Sequence, residues 1–146
     1  TPSSRRKLPQ RAPTTPSVRT HTPETTMIKP FQSRVSEWVI ACFGEQIAAD
    51  KVERNYRFLE ESTELVQSLG CTREQAHSLV DYVYDRDIGE PRQEVGGVMV
   101  TLAALCEANG IDLNDSAETE IARVWTKVEQ IREKQRKKPH LGVNAA

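Results

Sequence analysis

The chain has 146 residues, room for one domain of ordinary size. Aromatic residues are 5% of it and charged residues 28%, which suits a helical protein with a modest core rather than a large β-rich one. No apolar run approaches the ~20 residues that span a bilayer, and no apolar segment follows the basic N-terminus, so neither a membrane helix nor a secretory signal is predicted.

The net charge of −1 hides an uneven distribution. Residues 1–29 hold six basic residues and one acidic, and residues 132–146 hold five and one. Nine basic residues then face 19 acidic ones between 30 and 131, a net −10. An acidic body argues against a specific nucleic-acid surface there and fits a cation site. Cys42, Cys71 and Cys106 are odd in number and lack CxxC spacing, which predicts reduced thiols in a cytoplasmic protein. Cys42 and Cys106 fall on apolar helix faces.

Residues 1–29, rich in Pro, Thr, Ser and Arg, bury too little apolar surface to offset ordering entropy and are predicted disordered. Met27 opens the first stretch of domain-like composition and is a candidate start. The all-α domain is expected over 30–138, with a flexible tail over 139–146.

A first helix is predicted from about Pro30 to Glu45, with Val35, Trp38, Val39, Cys42 and Phe43 as its stripe and Gly44 weakening its end. A second runs from about Ala49 to Leu69, with Gly70 as its C′ residue. Thr72 with Gln75 makes a capping box for a third, ending near Asp85. Asp87 to Pro91 is a turn. Pro91 opens a fourth helix to about Asn109, almost uniformly apolar after Glu94 and therefore expected to be central. Gly96 and Gly97 inside it imply either a close helix crossing or room for a ligand. Asp115 with Glu118 is read as the capping box of a fifth helix reaching Lys137. Trp38 and Trp125 are expected in the core.

The second helix carries the densest chemistry. Glu60 and Glu64 are four apart, and Glu61 and Glu64 three apart, so Glu64 shares a face with each. Carboxylates this close repel unless basic side chains or a metal ion lie between them. Glu94, opening the fourth helix, adds a third acid from a second element. Oxygen ligands at i, i+3 suit Mg²⁺ or Mn²⁺ shared with substrate phosphates. The residues alone reach a helical bundle with a candidate acidic cation site.

Arg57-Phe-Leu-Glu60-Glu61-x-x-Glu64-Leu, followed by Gly-Glu-Pro-x-Gln-Glu94-Val-Gly-Gly-Val-x-Val-Thr-Leu-Ala-Ala-Leu, resembles the MazG-like nucleoside triphosphate pyrophosphohydrolases, and more narrowly their phage and prophage branch. The similarity covers roughly residues 27–138. It implies an all-α MazG-like bundle of about five helices, a homodimer or homotetramer, and Mg²⁺-dependent (or Mn²⁺-dependent) hydrolysis of nucleoside triphosphates to monophosphate and pyrophosphate. Carried over, Glu61, Glu64 and Glu94 match metal ligands. Glu60 matches the first Glu of the family's EExxE, and Glu60 or Glu61 would orient or deprotonate the attacking water. Lys127 and Arg132 match basic phosphate contacts, with Arg57 and Arg123 as weaker ones. The family's fourth carboxylate falls on Gly97. That departure leaves a second expectation open, a non-catalytic module that binds nucleotide or protein on the same fold.

Overall fold

The computed structural model describes residues 29–138, and the expectations for residues 1–28, including Met27, and for 139–146 lie outside them. The described residues form seven helices and no strand: α1 (Phe31–Phe43), α2 (Glu45–Ala49), α3 (Lys51–Ser68), α4 (Arg73–Tyr84), α5 (Pro91–Ala108), α6 (Leu113–Trp125) and α7 (Val128–Arg136). The expected all-α class holds, with two more helices than the five predicted.

Local chemistry accounts for most boundaries. Gly44, at φ +84°, takes a left-handed conformation that ends α1 and turns the chain into the short α2. Asp50 starts α3, its carboxylate accepting from the Val52 and Glu53 amides at 3.0 Å each. The predicted Thr72–Gln75 capping box is present at the head of α4 with both of its bonds. Pro91 occupies the first turn of α5, and the Glu90 carboxylate accepts from the Gln93 amide at 2.9 Å.

One device ends both α3 and α5. Gly70 (φ +93°) donates to the Gln67 carbonyl while Cys71 donates to that of Val66. Gly110 (φ +64°) donates to Glu107 while Ile111 donates to Cys106. This paired bonding satisfies carbonyls that the helix leaves open. In each case an N-cap residue follows two positions later, Thr72 or Asp112, so the next helix starts at once in a new direction. The axes of α5 and α6 meet at 102°.

The last predicted helix differs in two ways. Its cap is Asp112, which accepts from the Asp115 amide at 2.8 Å, rather than Asp115 itself; Glu118 is drawn instead to Arg34 on α1. The helix also breaks after Trp125. The Thr126 hydroxyl donates back to the Arg123 carbonyl at 2.7 Å, and Lys127 leaves helical geometry at φ −124°. A β-branched residue that hydrogen-bonds its own helix is a poor choice for continuing it.

Packing gathers at one end of the molecule. α1 lies on α2 and α7, α2 meets α3, and α6 meets α7. Helix α7 fastens this cluster through one face, at residues spaced by three. Arg132 donates to the Cys42 and Ala41 carbonyls at 2.7 and 2.8 Å, Gln135 reaches Glu53, and Lys138 just beyond the helix reaches Glu60 at 2.8 Å. Cys42, Cys106, Ile121 and Val124 are the buried apolar residues, in keeping with the expected placement of the two cysteines.

The expectation that the apolar fourth helix is central is corrected. In the single chain much of α5 is open, with Val95 64% and Val100 70% exposed, because the main helix packing joins α1, α2, α3, α6 and α7 and leaves α4 and most of α5 outside it. Trp125, expected in the core, is 45% exposed at the end of α6, whereas Trp38 packs edge-on against Phe43 at 5.8 Å. Among the described residues no single helix is long and apolar enough to cross a membrane, though the bent α5–α6 pair reaches that length and composition together.

Replacing Arg132 by Met keeps the apolar stem and removes the bonds that cap α1 from α7. Urea unfolding should report a loss of about 1–2 kcal/mol, with the midpoint lowered and the slope unchanged.

Candidate functional site

Helix α3 presents its carboxylates in two environments. Glu60 is half-buried and fully engaged: Arg57, one turn back, and Lys138 both donate to it. The Lys138 hydrogen bond, aided by the charges of Lys138 and Arg57, outweighs partial desolvation and holds the Glu60 carboxyl below the usual carboxylate range. Arg57 is also paired with Glu53 at 3.1 Å, so it is part of a structural ion network along the α3–α7 seam. Glu60 is thus held as a carboxylate, facing bases.

Glu61 and Glu64 are exposed. Neither makes a hydrogen bond or ion pair among the described residues. Arg123 of α6 donates to the Glu120 carboxylate, and its pKa is raised mainly by that hydrogen bond, then by the charge of Glu120 and, least, by that of Glu61. Lys127 adds to the positive field on Glu120, whose carboxyl is lowered chiefly by the Arg123 hydrogen bond. The charge of Glu61 on α3 is thus felt at the basic end of α6. That raises Arg123 above its sequence ranking.

Arg132 lies elsewhere. Its guanidinium is taken by the Ala41 and Cys42 carbonyls and by Glu129 at 2.5 Å, which gives it a structural post between α7 and α1. Lys127 caps nothing with its side chain and sits exposed at the α6–α7 break. The sequence reading did not single out Lys138. The signal available was its spacing of three from Gln135 and six from Arg132, which puts all three on one face.

Glu94 is exposed in the first turn of α5. Its carboxyl lies over Gly89, where a Cβ would fall 1.9 Å from Oε1. The absent side chain at Gly89 is what lets Glu94 fold back over the Gly-Glu-Pro turn. Gly97, one turn on, has open space around it: a Cβ there would meet nothing within 4 Å. Among the described residues of one chain, no three His, Cys, Asp or Glu side chains are close enough to share a metal ion. Glu61 and Glu64 offer two oxygen donors on one face of α3, which is the right chemistry for a hard divalent ion. Among the described residues no third donor of these types reaches them.

No family model, curated protein or solved structure matches the chain.

The Glu60 contacts set a pH dependence. Its carboxyl is lowered in the folded chain, so its contribution is present above the unfolded carboxylate pKa of about 4.3 and is lost as pH falls through the lower folded value. Glu60→Gln should be less stable than the parent at about pH 7, and the difference should close between about pH 5 and pH 3. Urea unfolding at those pH values measures it.

Proposed function

We propose that the protein is a metal-dependent nucleoside triphosphate pyrophosphohydrolase of the MazG-like kind, releasing pyrophosphate from a (d)NTP in nucleotide metabolism. One observation carries the reading. Glu61 and Glu64, three apart on α3, are exposed and make no hydrogen bond or ion pair among the described residues, and the charge of Glu61 is felt by Arg123 of α6. Two close carboxylates kept without a cation are mutually repulsive, and a divalent ion with a polyphosphate would relieve them.

In this reading Glu61 and Glu64 hold Mg²⁺ or Mn²⁺, joined by Glu94 from a neighbouring copy in a homodimer or homotetramer. The ion, when bound, supplies charge neutralisation on the phosphates and activation of a water. Arg123 and Lys127 bind phosphate oxygens as charge-assisted donors. Glu61, being unpaired, is the better candidate to orient the attacking water at the α-phosphorus. Glu60 is already committed to Arg57 and Lys138, and serves to fix the turn of α3 that carries Glu61. A cytoplasmic setting of phage or prophage origin goes with this reading.

A second reading, a binding module without turnover, is favoured by one residue: Gly97 stands where the family pattern has an acid. Open space around it means that Gly97→Asp can be made without a clash.

The test is pyrophosphate release from a panel of canonical and modified (d)NTPs with Mg²⁺ or Mn²⁺. Turnover is expected to fall at least 100-fold in Glu61→Gln and Glu64→Gln, about the loss of one or two strong charge interactions. Nucleotide binding by calorimetry without product, rising to turnover in Gly97→Asp, would select the second reading. No binding and no product with any nucleotide would remove both.

A further inference from the structure

A crevice of about 250 Å³ opens between the last turns of α3 and the head of α4. Val66, Cys71 and Ala76 line it and are half-buried, which gives it an apolar floor. The polar groups around that floor are of two kinds. Some are spent within the chain: the Thr63 hydroxyl donates to the Leu59 carbonyl at 2.7 Å, and the Cys71 thiol to that of Thr72 at 3.6 Å. The Gln67 amide and the His77 imidazole are exposed and make no hydrogen bond among the described residues.

The crevice also has a fixed place relative to the acidic pair. Gln67 is three residues after Glu64 and six after Glu61 on the same helix. At the α-helical rise, that sets it about 4.5 and 9 Å further along the axis.

We propose that this crevice holds the base of the nucleotide whose phosphates are bound at Glu61 and Glu64, with Gln67 and His77 as its specificity-determining residues. The inference rests on reading the acidic pair as a nucleotide site. Three features choose a base as the occupant. The volume lies below the ~300–1,000 Å³ of sites that enclose drug-sized ligands, so it takes one ring system and leaves sugar and phosphates outside. A base has apolar faces for Val66 and Ala76. Its edge carries donors and acceptors side by side, which the Gln67 amide matches with its own donor and acceptor. An uncharged ring also suits the electrostatics better than a free anion. Arg73 and His77 line the crevice, but Glu74 stands between them in the chain and feels the charge of His77, and residues 30–131 carry a net −10.

Kinetics and nuclear magnetic resonance on the full chain test this separately from the hydrolase reading. Across a panel of (d)NTPs with Mg²⁺ or Mn²⁺, Gln67→Ala is expected to lower kcat/KM for the preferred base about tenfold, as for one or two lost hydrogen bonds, and to narrow the spread between bases. Ala76→Leu, which fills the crevice, should raise KM more than it changes kcat. Gln67 is exposed on the helix, so its variant keeps the test informative if Ala76→Leu fails to fold. In the isotope-labelled chain without metal, millimolar adenosine, guanosine, cytidine or uridine should shift the Gln67 side-chain amide and the backbone amides of Cys71 and His77. A Gln67→Ala enzyme with the wild-type preference among bases would overturn the inference and leave the hydrolase standing. Nucleoside shifts confined to other residues, or none, would overturn it as well. Shifts in the crevice with no turnover of any nucleotide would remove the hydrolase reading and keep the crevice as a nucleoside site.

Discussion

The constraint behind the whole arrangement is the uncovered apolar circumference of α5. The chain places eighteen residues of helix there, and after Glu94 gives it no charge until Glu107. Helices α1, α3, α6 and α7 are joined by specific polar ties. Arg34 pairs with Glu118, Arg132 caps the last carbonyls of α1, and Gln135 and Lys138 anchor α7 to α3. These bonds close one part of the molecule and leave the other open. Surface ion pairs are individually weak, and it is their convergence with the buried Cys42 and Val124 that orders the closed part. In the open part, α5 is covered only in its C-terminal half, at Cys106 and in part at Leu102 and Leu105.

The candidate site sits on the boundary between the two parts. Glu60 is half-buried and paired with Lys138 and Arg57, whereas Glu61 and Glu64 are exposed and make no hydrogen bond or ion pair among the described residues. Within about one helical turn a structural carboxylate is thus followed by two chemically available ones. Glu94 stands in the first turn of α5, exposed and folded back over the Gly-Glu-Pro turn.

Much of the local structure was legible in the residues. Thr72 with Gln75, Gly70 and Pro91 each act through a short-range mechanism that needs no knowledge of the rest of the fold, and all three are where the pattern put them. The cap at α6 was misread because Asp112 and Asp115 are both competent, and the choice between them depends on where Gly110 ends the helix before. The α6–α7 break was hidden because Val124, Val128 and Ile131 keep helical spacing straight through it. For α5 the apolar pattern is compatible with burial inside a chain or between chains, and periodicity cannot distinguish these. At the site, the adjacency of Glu61 and Glu64 is a property of one helix and was readable. The separate employment of Glu60 and Arg132 depends on where the end of the chain folds back, which is a long-range fact.

The most direct test is the position of the Mn²⁺ anomalous scattering peak in crystals of the full chain grown with Mn²⁺ and a non-hydrolysable nucleoside triphosphate. The account predicts a peak about 2.1 Å from carboxylate oxygens of Glu61 and Glu64, with Glu94 of a neighbouring copy completing the set. Well-ordered crystals in which those carboxylates hold no ion would contradict it.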